Sequence, residues 1–295
     1  MHKLLILGLF GLIAQLVDGT LGMAYGVTTT TLLLTAGAAP AIASATVHLA
    51  EVGTTLASGT AHWRFGNVDW RTVGLMALPG SLAAFVGAVI LSSLSAEVAE
   101  PWMAAILFSL GVDILWRFSR PRQRREPRPD RKSLRAVFLS PLGAFAGLID
   151  AMGGGGWGPI GTSSLLASER LEPRKVVGSI DTSEFLVTLG ASAGFLVALS
   201  FAQINVGWLV ALLVGGLIAA PIAAWLVRKL PARVLGAAVG GLILVTNTKT
   251  FGEAVGAPAE VLVAAYAVFV PVWVAAVASA VAAVRRGLHA TPQPA

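Results

Sequence analysis

The chain has 295 residues, of which 56% are hydrophobic and 12% are charged, and its formal net charge is +6. Because soluble domains carry about 25% charged residues, this composition excludes an ordinary water-soluble fold and predicts an all-α polytopic membrane protein. The absence of cysteine excludes disulfides and thiolate metal sites. Eight Lys and Arg residues lie in one segment, 119–135, so the net charge does not indicate a nucleic-acid partner.

The apolar runs and the residues that interrupt them predict nine segments in chain order. The first run resembles a signal peptide, but its continuation is repeated later in the chain, so we interpret it as retained structure. The first and fifth segments are interrupted, at 18–26 and 150–158. The nine segments cover residues 4–36, 40–62, 70–94, 97–116, 136–168, 173–201, 206–227, 231–251 and 261–284.

The two interruptions belong to an internal repeat. The sequence DGTLGMAYG at 18–26 returns as DAMGGGGWG at 150–158. Further matches follow in the same order, with short gaps: Pro40 with Pro173, Glu51 with Glu184, Asn67 with Asn205, Trp70 with Trp208, and Pro79 with Pro221. We therefore divide the chain into a first transmembrane repeat (1–118), a basic cytoplasmic loop (119–135), a second repeat (136–256), and a final helix with a cytoplasmic tail (257–295).

The distribution of basic residues orients the segments, since cytoplasmic loops are rich in Lys and Arg. The segment 119–135 is typical of such a loop; a specific contact with anionic lipid or a partner is the alternative. Placing basic ends inside makes each interrupted segment a re-entrant hairpin, with arms of roughly 10–15 residues. Each repeat then has one hairpin and three spanning helices, which predicts two inverted repeats, one extra C-terminal helix and a cytoplasmic C-terminus.

Duplicated glycine-interrupted segments in matching halves are typical of the binding sites of secondary transporters. The N-terminus of each second arm presents free N–H groups suited to an anion, hydroxyl groups add donors, and two aromatic residues line the breaks. The alternative is that the glycines only permit close helix packing. The predicted substrate-binding residues of the breaks are Tyr25, Gly26, Thr28, Thr29, Gly153, Gly154, Gly155, Gly156, Trp157, Gly158, Thr162 and Ser163.

Ionisable residues inside apolar spans are costly and usually functional. His48 and Glu51 occupy positions equivalent to Asp181 and Glu184, and the i, i+3 spacing puts each pair on one helix face. They predict proton or cation coupling, as do the two aspartates that precede the breaks; the alternative for the aspartates is capping of backbone amides. The predicted coupling residues are Asp18, His48, Glu51, Asp150, Asp181 and Glu184.

Lys249 is a cation well away from any predicted cytoplasmic end. It is predicted to neutralise an anionic substrate. The alternatives are pairing with an intramembrane carboxylate, or extension of its side chain to the membrane interface.

The break at 150–158, the segment from Pro173 to Glu184 and their counterparts in the first half resemble the TauE/SafE family, the sulfite exporter or TSUP group. The resemblance runs from Leu4 to Phe251. It implies a secondary transporter that exports a sulfur-containing or organic oxyanion, such as sulfite, a sulfonate or sulfoacetate, across the bacterial inner membrane. It implies no residue roles, so the site rests on the residues themselves.

The partners expected are a small anionic substrate, the lipid bilayer and, if transport is coupled, protons; no cofactor is expected, and the sequence indicates no oligomeric state. A cation or metal-ion carrier that uses the intramembrane carboxylates is the alternative transporter. An intramembrane aspartyl hydrolase with Asp18 and Asp150 is the alternative from another class. Neither a nucleotide-binding loop nor a nucleophile–base set is present in the sequence, so we predict that the protein is not an enzyme.

Overall fold

The computed structural model describes residues 2–119, 134–168, 170–199, 203–226 and 232–289. Most of the predicted basic loop and the end of the predicted C-terminal tail lie outside these residues. The described residues form α-helices and no β-strands. The helices are α1 (His2–Leu21), α2 (Tyr25–Thr35), α3 (Pro40–Arg64), α4 (Trp70–Ser93), α5 (Ala96–Ser119), α6 (Ala136–Gly153), α7 (Trp157–Ser168), α8 (Pro173–Ala198), α9 (Val206–Leu226), α10 (Ala232–Ala254) and α11 (Ala259–His289).

This order confirms the all-helical membrane fold and contains the same arrangement twice. A pair of helices separated by a short break is followed by three long helices, first as α1–α5 and then as α6–α10, and α11 follows. Prolines 40 and 173 begin α3 and α8, where the missing N–H costs nothing. The inversion of the two halves across the membrane stays a prediction.

The predicted lengths of the first hairpin arms were wrong. α1 has 20 residues and α6 has 18, rather than roughly 10–15, whereas the second arms α2 and α7 have 11 and 12. The breaks are correspondingly shorter than predicted, at 22–24 and 154–156. Each aspartate lies inside the last turn of the first arm. Its carboxylate bonds forward to the second arm, so the aspartate does not end the first helix.

Six helices of the described residues are long and apolar enough to cross a membrane. They comprise α4, α5, α6, α8, α11 and most of α9. The helices α3 and α10 are as long, with 25 and 23 residues, but they are more polar. In α3 the polar side chains form a buried face, which includes Ser44, His48 and Glu51. Polar residues are therefore concentrated in the interior, and apolar residues face outward, as a bilayer requires.

The two halves pack against each other in a reciprocal pattern. α6 lies along α4, and its counterpart α1 lies along α9; α3 packs against α8, and α5 against α10. Each first arm approaches its partner closely through an equivalent glycine. A methyl group on Gly11 would lie 2.8 Å from the Leu212 carbonyl oxygen, and one on Gly143 would collide with the Met76 carbonyl oxygen. The breaks of both hairpins consequently meet in the centre of the molecule.

Candidate functional site

The two breaks share one local design, in which an aspartate binds the start of the second arm. The Asp18 carboxylate accepts a hydrogen bond from the Tyr25 N–H at 3.4 Å, and the Asp150 carboxylate accepts one from the Trp157 N–H at 2.9 Å. Both aspartates are buried. A carboxylate at a helix N-terminus satisfies an orphan N–H and the positive end of the helix dipole. The structure therefore shows the capping role that was one of the two interpretations of these aspartates.

The two hairpins are joined by a reciprocal pair of hydrogen bonds. The Thr30 hydroxyl in α2 donates to the Gly154 carbonyl oxygen at 2.5 Å, and the Thr162 hydroxyl in α7 donates to the Gly22 carbonyl oxygen at 2.6 Å. Thr30 and Gly22 occupy the positions in the first repeat that Thr162 and Gly154 occupy in the second. Each second arm thus binds the break of the other hairpin.

The glycines of the breaks permit this close approach. A methyl group on Gly158 would lie 2.6 Å from the Met23 Cα, and one on Gly26 would lie 2.9 Å from the Gly154 carbonyl oxygen. A methyl group on Gly155 would collide with the Val27 backbone nitrogen. Close packing, the alternative to ligand contact, is therefore what the structure shows for these glycines, and contact between their amides and a substrate stays a prediction.

The predicted aromatic residues of the breaks anchor the hairpins to neighbouring helices. The Tyr25 hydroxyl donates to the Leu212 carbonyl oxygen in α9 at 3.2 Å, and the Trp157 indole N–H donates to the Ile180 carbonyl oxygen in α8 at 3.1 Å. Trp157 is completely buried. The second arm of the first hairpin is thus bonded to a long helix of the other half, and the second arm of the second hairpin is bonded to a long helix of its own half.

The remaining predicted hydroxyl groups differ in their environment. The Thr29 hydroxyl donates to the Tyr25 carbonyl oxygen of its own helix at 2.7 Å. The hydroxyl oxygens of Thr28 and Ser163 are buried and have no hydrogen-bond partner in the part of the chain that the structure describes. Buried polar atoms are nearly always paired with protein, water or a ligand, so Thr28 and Ser163 are the hydroxyl groups still available to a bound solute.

His48, Glu51 and Asp150 form a cluster between α3 and α6. The His48 Nδ1 atom lies 2.9 Å from a Glu51 carboxylate oxygen and 3.9 Å from an Asp150 carboxylate oxygen, and the His48 Nε2 atom lies 3.3 Å from the Asp150 carbonyl oxygen. All three side chains are buried. An imidazole between two carboxylates can accept and release a proton without leaving an isolated charge.

A second cluster lies between α1 and α8. Carboxylate oxygens of Asp18, Asp181 and Glu184 lie within 4.8 Å of one another, and the His62 Nε2 atom lies 3.9 Å from an Asp181 oxygen. In both clusters the hairpin aspartate of one repeat meets the long helix of the other repeat. All six predicted coupling residues are thus brought together, in two groups of three.

The comparisons with known proteins agree with this architecture. The family model described as sulfite exporter TauE/SafE matches residues 7–250. The chain belongs to the TauE/SafE family. It is also 50% identical over 254 residues to the probable membrane transporter protein YtnM of Bacillus subtilis (strain 168), which covers 85% of this chain and 83% of that protein. No solved structure matches the chain.

Family membership confirms the resemblance inferred from the breaks and makes this chain a multi-pass membrane transporter. Its substrate is therefore a small solute that crosses a lipid bilayer. The family and the relative are both described as transport proteins, in agreement with the prediction that the chain is not an enzyme.

The structure of this TauE/SafE protein does not bring Lys249 to either cluster. The Lys249 side chain is 65% exposed and lies 3.7 Å from Glu253, one turn further along α10. The side chain follows the surface of α10 towards its end, and a contact between Lys249 and a substrate stays a prediction. The exposed placement was one of the alternatives for this residue.

Two buried residues near Asp181, Ser58 and His62, were not predicted from the sequence. His62 lies beside Trp63 and Arg64 at the end of α3, and residues of these types are common at the membrane interface. A signal was nevertheless present, because polar residues recur at positions 48, 51, 55, 58 and 62, which lie on one helix face. Thr30 was also missed; its equivalence to Thr162 is the signal that identifies it.

Proposed function

We propose that this TauE/SafE protein is a secondary transporter that exports a sulfur-containing or organic oxyanion, of the sulfite, sulfonate or sulfoacetate type, across the bacterial cytoplasmic membrane. The observation that carries the proposal is the meeting of two interrupted helix pairs in a polar interior. Non-helical backbone at membrane depth is tolerated only where it is buried in protein or lines a cavity. Such breaks form the substrate sites of several transporter folds.

The proposed movement is alternating access, with the reciprocal threonine bonds as the contacts that exchange. Opening the interface at Gly154 breaks the bond from Thr30 and spares the bond from Thr162; opening it at Gly22 does the reverse. Because the two bonds are chemically equivalent, the two open states differ little in hydrogen-bond energy. A transporter needs such balance to visit both states.

An anionic substrate is supported by the charges at one end of the molecule. Arg71 and Arg170 line a cleft beside Asp69 and Thr72, at the start of α4 and before α8. The positive-inside rule places these arginines in the cytoplasm, where they would attract anions that leave the cell. The inside-negative membrane potential adds about 2.3 kcal/mol per charge per 100 mV in the direction of export.

Proton coupling is assigned to the cluster of His48, Glu51 and Asp150. The His48 Nδ1 atom lies 2.9 Å from Glu51, within reach of direct proton transfer, and 3.9 Å from the Asp150 carboxylate. Asp150 also caps the arm that starts at Trp157. A proton that arrives at this cluster weakens the hold of the carboxylate on the hairpin. Proton transfer and hairpin movement are thereby linked.

A cation carrier is the second candidate function, since carboxylates outnumber cationic groups in the interior. Among the side chains whose burial the structure describes, no Lys or Arg is buried, whereas five carboxylates are. The two candidates predict different cargo in the same assay. Proteoliposomes loaded with radiolabelled sulfite or sulfoacetate, and in parallel with radiolabelled divalent cations, distinguish them by which solute leaves.

The test of the proposal is efflux of sulfite and sulfoacetate with and without a pH gradient. Glu51→Gln is expected to lower efflux and remove its response to the gradient. Glu253→Gln, an exposed acid on α10, is the matched control and is expected to behave as wild type. Wild-type vesicles that release neither anion faster than protein-free vesicles would contradict the proposed function.

A further inference from the structure

The second cluster concentrates negative charge where the membrane interior offers little compensation. Asp18, Asp181 and Glu184 are 3%, 1% and 7% exposed, and their carboxylate oxygens lie within 4.8 Å of one another. Charges buried in this way must be neutralised by protons, by partners of opposite sign or by a bound ion. No Lys or Arg is buried among the side chains that the structure describes, and the His62 imidazole beside Asp181 can balance only one of the three charges.

Neighbouring polar atoms point independently to a missing ligand. The Ser58 hydroxyl is completely buried beside the Asp181 carboxylate, and among the described residues it has no partner at hydrogen-bond distance and angle. In the same part of the chain, neither Asp181 carboxylate oxygen nor the His62 Nε2 atom, 3.9 Å from Asp181, makes a hydrogen bond of good geometry. Buried polar atoms without partners are rare and call for a water, an ion or a ligand.

We propose that Asp18, Asp181 and Glu184 bind a divalent cation of the oxygen-preferring class, with Ser58 as an additional oxygen donor. Carboxylate and hydroxyl oxygens suit Ca²⁺, Mn²⁺ and Mg²⁺. The softer thiolate ligands are absent, because the chain has no cysteine. A divalent ion also leaves a smaller residual charge on three carboxylates than a monovalent ion does.

The spacing accommodates the larger members of this class as well as the smaller ones. Ligands on opposite sides of Ca²⁺ are separated by about 5 Å, since each bond is about 2.3–2.6 Å. Opposite ligands of Mg²⁺ are separated by only about 4.2 Å. Oxygens within 4.8 Å of one another can surround a Ca²⁺-sized ion without displacement of α1 or α8.

The site would join the hairpin of one repeat to the long helix of the other. Asp18 lies in the last turn of α1 and caps α2, whereas Asp181 and Glu184 lie on α8. A bound ion therefore stabilises the contact between these elements. The proposal does not rest on which solute the protein transports.

The test is titration of the purified full-length protein in detergent with Mn²⁺, followed by electron paramagnetic resonance, in which bound Mn²⁺ loses the sharp signal of the free ion. We expect saturable binding, displacement by excess Ca²⁺, and a loss of affinity of at least about tenfold in Asp181→Asn. The control Glu253→Gln, which removes an exposed carboxylate, is expected to bind as wild type.

Folding of the variant is checked by its elution in size-exclusion chromatography. If Asp181→Asn does not remain monodisperse, Glu184→Gln provides the same comparison. Absence of saturable binding in the wild type overturns the proposal, as does equal affinity of wild type and the folded variant. Absence of Mn²⁺ binding together with intact sulfite efflux would remove this site and leave the proposed export function standing.

Discussion

Gly154→Ala tests how tightly the two hairpins pack. Gly154 has a φ of 66°, and a residue with a Cβ in this left-handed region costs about 1–2 kcal/mol. The added methyl group would also collide with the Thr30 hydroxyl and lie 2.9 Å from its Cβ. Overpacking of this kind costs typically about 1–3 kcal/mol. We therefore expect a total loss of about 2–5 kcal/mol in the free energy of unfolding.

Gly256→Ala is the matched control for this substitution. Gly256 has a φ of 70° and, like Gly154, follows the end of a helix, but nothing lies within 4 Å of an added Cβ. Gly256→Ala is expected to lower the free energy of unfolding only by the cost of a positive φ, about 1–2 kcal/mol. Both substitutions change the unfolded chain in the same way, so the difference between them measures packing.

The assay is equilibrium unfolding of both variants in mixed micelles of a mild detergent and dodecyl sulfate. The expected difference of about 1–3 kcal/mol corresponds to a ratio of roughly 5 to 150 between the unfolding equilibrium constants of the two variants. Equal destabilisation by the two substitutions would show that the hairpins do not pack tightly against each other at Gly154.

Three further predictions concern the same region. Thr162→Val removes the hydroxyl that bonds Gly22 and is expected to lower the free energy of unfolding by about 0.5–1.5 kcal/mol in the same assay. Thr46→Val is the control, because the Thr46 hydroxyl bonds its own helix, and it should lower stability less. Equal losses of stability would argue against the bond between the hairpins. Ala24 has a φ of 98°, which glycine adopts without strain. Ala24→Gly removes about 1–2 kcal/mol of backbone strain, which exceeds the entropic cost of glycine, so the free energy of unfolding should rise by about 0.5–1 kcal/mol. A decrease in stability would contradict this expectation. Glu51→Asp keeps a carboxylate but withdraws it from His48. Sulfite efflux from proteoliposomes should therefore fall below that of wild type while the protein remains folded. Unchanged efflux would show that the contact between His48 and Glu51 is not needed for transport.

The sequence predicted the fold because local signals and the repeat agreed. Apolar runs defined the helices, and the glycines near Gly154 marked the breaks, since few residues other than glycine adopt positive φ. The ends of the first arms were misplaced because an aspartate before a loop has the same appearance whether it ends a helix or lies in the last turn. Asp18 and Asp150 lie in the last turn and reach forward to cap the next helix.

The grouping of the site residues could not be predicted from the sequence. Helical spacing places His48 and Glu51 on one face, but it does not reveal that Asp150 of the other repeat meets them. That contact depends on how the halves cross, which no local pattern encodes. Lys249 illustrates the same limit, because an isolated cation in an apolar segment can turn inward or follow the helix surface, and here it is exposed.

Binding of an anionic solute between the two breaks can be measured directly, because the absence of cysteine from the sequence allows a single thiol to be introduced. Ser163→Cys introduces a thiol at a buried position whose hydroxyl has no partner, and Ser93→Cys introduces an exposed control. The rate of labelling by a thiol reagent is measured with and without sulfoacetate. Saturating sulfoacetate is expected to slow labelling at position 163 and to leave labelling at position 93 unchanged. Identical rates at position 163 with and without sulfoacetate would show that the breaks do not hold this solute.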